Sequence, residues 1–296
     1  MTLLHLSRSL TLFFLCFALL PATAAAQVDA DLNRGDGPLE IDADDGIEWR
    51  RNDKVYIARG NARAASGGLE VYGEVLTAHY RNSEAGGTEV YLLEAEGDVR
   101  IVTANETVYG DYGRYSLDDE HMMLTGDGLL LESKNGRDSI LAKESIEYFD
   151  GKNLAVARGD AQAYHDDKVI RADTLYAYFA PDKGNKLQVE RVEAQGNVSI
   201  RTPTDLAVGE SGVYYVDKEL ATLAGDVKIT RDENQLNGEY AEVNLATGVS
   251  KLTGGSPNSE TKTRVHGLVL PTSQKKGDKQ QDESGSDPES NAAQDN

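Results

Sequence analysis

Cysteine is nearly missing from this chain of 296 residues: Cys16 is the only one, and it lies in the first apolar stretch. A disulfide framework is therefore excluded, and the fold must be held by apolar burial and backbone pairing. Basic residues are scarce beside acidic ones, 30 against 50, and the net charge of −20 repels nucleic acid and anionic surfaces at long range. Tryptophan occurs once and aromatics make up 7% of the chain. Outside residues 1–26 no segment shows a sustained i, i+3, i+4 apolar pattern with caps, so helices are not expected. Gly-x-Ser-x-Gly and phosphate-cradling loops do not occur. His79, His121, His165 and His266 each stand alone without metal-ligand spacing, and the acid pairs Asp44-Asp45 and Asp118-Asp119 form no matched carboxylate set. These absences point away from an enzyme and call for no metal and no cofactor.

The two ends read differently from the middle. Residues 1–26 have a positive start at Arg8, an apolar run of about ten residues and a small-residue exit, "PATAAAQ", the layout of a secretory signal peptide cleaved near Ala24 or Ala26. A spanning helix would need about twenty apolar residues. Phe14 and Leu15 before Cys16 are too large for a lipidation signal. Export to the periplasm is the expectation, with a mature net charge of −21 once Arg8 is removed. From Ser273 to Asn296 there is no aromatic and no branched aliphatic residue, so 273–296 is expected to be a disordered polar tail. Residues 27–272 remain as the folded part, as one elongated unit or as two tandem copies at about 37–135 and 136–272.

What fills that middle is repetition. "EAEGDVRI" at 94–101 returns as "EAQGNVSI" at 193–200, "ARGNARA" at 58–64 as "ARGDAQA" at 157–163, and "LTGD" at 124 as "LAGD" at 223, all at an offset of 99. A finer repeat lies inside each copy, marked by Gly60, Gly97, Gly126, Gly159, Gly196, Gly225 and a worn Gly254, spaced 29 to 37 apart. Apolar residues sit two before, two after and four after the glycine, which is the period of a half-buried strand with a bend or bulge at the glycine. Gly-Asp and Gly-Asn at these points are turn chemistry, and the spacing is too long for calcium-binding nonapeptides. Between them run segments such as "LEVYGEVLTAHY" and "VIRADTLYAYF", each with a small residue at its centre, usually followed by an acid. The expectation is an all-β fold of about fourteen short strands, forming about seven two-strand repeats. A single unit cannot cover its own apolar stripe, and stacking units makes one interior.

Strand parity selects the inward residues: Ala58, Ala62, Leu93, Ala95, Val99, Ile101, Val192, Ala194, Val198, Ile200, Leu223, Val227 and Ile229. Glu94, Glu96, Asp98 and Arg100 face the other way. The many alanines, Ala64, Ala157, Ala161 and Ala163 among them, are expected to leave room for a trough rather than fill a core. Fourteen strands shared between two sheets would span roughly 35 Å. Open edges are expected around Leu39 and Ile41 at one end and around Val265 and Val269 at the other, where another strand could add.

The stretches "GPLEIDADDGIEWRRNDKVYIARGNARA" at 37–64 and "TRVHGLVLPTSQKKGDK" at 263–279, with the recurring "GDV" and "LTGD" units, resemble the LptA/OstA family of periplasmic proteins that carry lipopolysaccharide toward the outer membrane. The resemblance implies an elongated open β-jelly-roll, taco-like in section, that takes the acyl chains of lipid A inside. It also implies head-to-tail self-association and docking to LptC-like and LptD-like jelly-roll proteins. The 99-residue duplication departs from the common family pattern. Two other readings compete: a structural or polysaccharide-binding β-repeat protein with a filled core, and an LptC-like bridge component that keeps its N-terminal helix.

Overall fold

A computed structural model describes residues 40–269, apart from 67, 83–86, 184–186, 232, 245, 248 and 258–262. The signal-peptide reading, Leu39 and the polar tail therefore lie outside the described residues. Eighteen strands are formed among those described. They are β1 (Glu40–Asp42), β2 (Gly46–Arg50), β3 (Val55–Ser66), β4 (Leu69–Asn82), β5 (Thr88–Val102), β6 (Glu106–Ser116), β7 (His121–Thr125), β8 (Leu129–Ser133) and β9 (Asp138–Ala142). There follow β10 (Ser145–Phe149), β11 (Leu154–His165), β12 (Lys168–Pro181), β13 (Leu187–Arg201), β14 (Asp205–Tyr215), β15 (Leu220–Arg231), β16 (Asn234–Asn244), β17 (Val249–Thr253) and β18 (His266–Leu268). The only helical element described is a single 3₁₀ turn at Asp150–Lys152. The fold is all-β, as the alternation predicts.

The long strands do not lie in one plane, because each carries a break in register near its middle. In the first copy the breaks fall between Arg59 and Ala62, Tyr72 and Val75, and Glu96 and Val99. The second copy repeats them between Arg158 and Ala161, Arg171 and Thr174, and Gln195 and Val198. On β3, β5, β11 and β13 two successive residues at the break have positive φ, as in Gly97 (+75°) with Asp98 (+47°) and Gly196 (+75°) with Asn197 (+49°). Glycine adopts this conformation freely, and Asp and Asn are the side chains that best tolerate it. The neighbouring strand lays an acid over the glycine, and a Cβ on Gly97 would fall 2.7 Å from Glu74 Cγ. Asp45 over Gly60, Asp111 over Gly126, Glu144 over Gly159 and Glu210 over Gly225 repeat the contact. This explains the small residue followed by an acid in each intervening segment.

The aligned bends crease the pairing into two facing sheets of an antiparallel jelly-roll. Sheet I runs β2-β3-β4-β5-β6-β7-β10-β11-β12-β13-β14-β15-β16-β17, and sheet II runs β1-β3-β4-β5-β6-β8-β9-β11-β12-β13-β14-β15-β16-β18. Most long strands serve both sheets, one half in each. Fourteen strands per sheet at ~4.8 Å give a roll about 60 Å long. The sequence estimate of roughly 35 Å is thereby corrected, since it assigned every strand to one sheet only.

The duplication is visible in strand bounds: β2 to β6 return as β10 to β14 with every limit moved by 99. Pairing continues through the junction, with β8 on β9 and β7 on β10. Past Gly126 the equivalence slips by one residue. Tyr109 faces Leu130 in the first copy, whereas its counterpart Val208 faces Lys228, so the offset becomes 98 after the "GDG" at 126–128.

Candidate functional site

The inward parity of the strands assembles one apolar interior that extends from Ala58 to Ala241. Ala58, Ala62, Ala95, Val99, Ile101, Val192, Ala194, Val198, Leu223 and Val227 are all buried in it. Ile200 and Ile229 are half-buried and pack against it, while Leu93 is half-buried and lines a cavity. Several of these flank the crease in pairs, Ala95 with Val99 and Ala194 with Val198, and so form a floor. Val99 and Val198 are each 1% exposed. The alanines divide: Ala58, Ala64 and Ala95 line a cavity at the first end, whereas those at the crease leave no room. Ala62 and Ala161 are fully buried because the two sheets converge at the crease, where only small side chains fit.

Space exists at the first end instead. A cavity of about 120 Å³ lies between the opening strands, lined by Ile41, Ile47, Leu69, Val71, Leu93 and Ile101 among others. The counterparts of its mouth residues in the second copy are buried. Ile47 is 52% exposed and Trp49 51%, while their counterparts Ile146 and Tyr148 are 2% and 1%. The side chains have the same parity, but β2 has a neighbour on one side only, whereas β10 lies between β7 and β11. Mid-roll, Tyr148 meets the edge of Phe179 with centroids 6.2 Å apart, and Leu124 and Leu129 fill the remaining space.

The wall of sheet I is aromatic at the open end. Trp49 stacks on Tyr56 at 5.6 Å, Tyr56 lies 5.1 Å from Tyr80, and Trp49 Nε1 donates to the Tyr80 hydroxyl at 2.8 Å. Arg51 lies over the indole ring at 4.2 Å.

The rim of sheet II is polar on the same inward parity, a feature the sequence reading missed. Glu106 faces Ser133, Asp138 faces His165, His165 faces Lys168, and Asp205 faces Arg231. His165 Nδ1 lies 2.6 Å from Asp138 Oδ1 with both residues buried. Arg231 holds the Asp205 carboxyl below the ordinary carboxylate range through bonds of 2.5 and 3.1 Å. Burial pushes Glu106 up to about 7, against a hydrogen bond from Thr103 Oγ1 at 2.7 Å. The strand-terminal "TANE" at 103–106 and "TPTD" at 202–205 were the available sequence signal. An amphiphile is the ligand class that an apolar floor, an aromatic wall and a polar lip can accommodate.

The ends carry exposed apolar residues. Ile41 is half-buried in β1, and Val265 and Val269 are exposed beside β18. Sequence reasoning named one edge strand at each end and did not mark β2 with Ile47 and Trp49, or β17 with Val249, as edges. Among the described residues no group of three or more His, Asp or Glu side chains could hold a metal ion, and no helix is long and apolar enough to cross a membrane.

The chain is thus an antiparallel β-roll with an amphipathic interior. Residues 139–249, which cover most of the second copy, match the family described as "LptA/(LptD N-terminal domain) LPS transport protein". The crystal structure of LptH, the LptA homologous periplasmic component of the conserved lipopolysaccharide transport device from Pseudomonas aeruginosa, is similar over 79% of this chain and 96% of that one. Identity is 13% and the TM-score 0.21, a superposition too loose to carry structural detail across. No curated protein matches the chain.

Proposed function

We propose that this protein is a lipopolysaccharide-binding component of a periplasmic transport bridge, working without covalent chemistry. The single observation that carries the reading is the apolar interior with a polar lip, built from repeats whose second copy matches the lipopolysaccharide transport family. An acyl chain of about twelve carbons exposed to water costs on the order of 10 kcal/mol, and an apolar lining removes that cost. The ligand-facing set is Ala58, Leu93, Ala95 and Ile101 at the open end, with the packed crease behind it. In this reading residues 1–26 act as a cleaved export signal and 27–272 carry the ligand, as one elongated unit or two tandem copies.

The test is photocrosslinking of the mature chain with lipopolysaccharide and with delipidated polysaccharide, from probes at Leu93 and Ile101 and from outward controls at Arg100 and Ser199. Adducts with the acylated ligand from the two inward probes alone are the expected result. The filled-core reading has support of its own in the burial of Val99 and Val198, and adducts from no probe would favour it.

The partners in this reading are LptC-like and LptD-like jelly-rolls or further copies of the chain, joined by strand addition at β1 and β2 and at β17 and β18. Trp49, half-exposed on the terminal strand, reports on that contact. Its emission is expected to shift to shorter wavelength as protein concentration rises. An unchanged spectrum over the range where the mass of the particle grows would place assembly elsewhere.

A further inference from the structure

Glu106 occupies the inward end of β6 and is 2% exposed. Its Oε2 accepts from Thr103 Oγ1 at 2.7 Å, and its Oε1 has no hydrogen-bond partner. The duplication supplies an internal comparison. At the matching position in the second copy Asp205 faces Arg231 and is held by it, whereas Glu106 faces Ser133. The one-residue slip after Gly126 brings Ser133, rather than Glu132, to that position. The first copy has kept the buried acid without the cation that neutralises it.

Around Glu106 the rim is clasped at the junction of the two copies. The turn between β8 and β9 bonds across to the turn between β5 and β6, with Lys134 N donating to Asn105 O at 2.7 Å and Lys134 Nζ to Thr103 O at 2.6 Å. The charged and titratable groups facing this point are Lys134 from the turn, Glu132 on the outer side of β8, and Asp138 with His165 one and two strands further on. Arg137 and Asp166 close the far side of the turn at 2.8 Å. Beneath it lie Leu129, Leu131 and Ile140, part of the filling that closes the middle of the interior.

We propose that Glu106 and the turn at 133–138 form a proton-operated latch on the lip of the roll. With the carboxyl neutral the turn stays clasped. An ionised Glu106 leaves Oε1 as an unpaired charge in a buried site, and relief comes from withdrawing Lys134 from Thr103 toward the carboxylate and admitting water. An acid whose folded value is raised, here from the ordinary 4.5 to about 7 by burial, leaves the closed form fully stable at low pH and weakens it as pH rises through that window, with no further loss well above 7. That the released turn uncovers a ligand path rests on the transport reading, but the latch does not.

Hydrogen exchange of the apo protein tests it, followed across about pH 6 to 8.5 and corrected for intrinsic exchange. Protection of 131–138 is expected to fall about tenfold as pH rises, while the rim at 202–206 in the second copy stays unchanged. Glu106→Gln should remove the pH dependence and leave the turn closed throughout. Should that variant fold poorly, carboxyl NMR of the wild-type protein decides, since Glu106 must titrate well above the ordinary carboxylate range. The same pH dependence in Glu106→Gln, none in the wild type, or an ordinary titration of Glu106 would overturn the proposal. A latch that operates in a protein that does not bind lipopolysaccharide would count against the transport reading alone.

Discussion

Val99→Asp is expected to cost at least about 4 kcal/mol of stability, because it places an unpaired carboxylate at a crease position that is 1% exposed. For a folded unit of this size that corresponds to a fall in Tm of roughly 12 °C, read by circular dichroism. Val198→Asp, its repeat counterpart, should behave alike, since Val99 faces Gly110 and Val198 faces Gly209 in the same register. Asp98 and Asn197, each one residue earlier, lie on the outside of the bend and should tolerate substitution by the other with little change. A fall of only a few degrees in Val99→Asp would mean that water reaches the crease, and the floor would then be open trough rather than packed core.

Leu93→Asp separates ligand binding from folding. Leu93 has the same inward parity but lies farther up the wall, half-buried, facing Tyr115 and lining the cavity at the open end. A carboxylate there keeps access to water, so Tm should drop by no more than a few degrees. The acyl chain would instead meet a charge along its path, a penalty of about 2–3 kcal/mol, or on the order of 50-fold in affinity for the acylated ligand. Binding of lipopolysaccharide is the measurement, by titration or by crosslinking from Ile101. Unchanged binding in a folded Leu93→Asp would remove the open-end cavity from the ligand path.

Much of this was legible because parity is a property of the backbone. Once the alternation around Gly97 and Gly196 is recognised, Ala95, Val99 and Ile101 must share a face whatever the tertiary fold. The bends were legible for a similar reason: two successive left-handed residues admit little besides Gly followed by Asp or Asn. The acid over each glycine was present in the sequence but unreadable, because Glu74 and Gly97 meet only across a strand pair. The polar lip escaped for another reason. Thr103, Glu106, Asp138 and His165 fall at strand ends, where polar residues are ordinary turn chemistry until the neighbouring strand buries them.

The amino-acid sequence by itself determined an all-β repeat, its inward set and the places where each strand bends, since these follow from local periodicity and backbone sterics. Only the tertiary structure decided that a long strand serves both sheets, which nearly doubles the length of the roll. It also decided that Ile47 and Trp49 form an open mouth while Ile146 and Tyr148 are sealed. The residue types are near-identical in the two copies, and exposure depends on whether a further strand pairs alongside. The one-residue slip at 126–128 likewise sets Ser133 rather than Glu132 opposite Glu106, a pairing made by register, which no single strand contains.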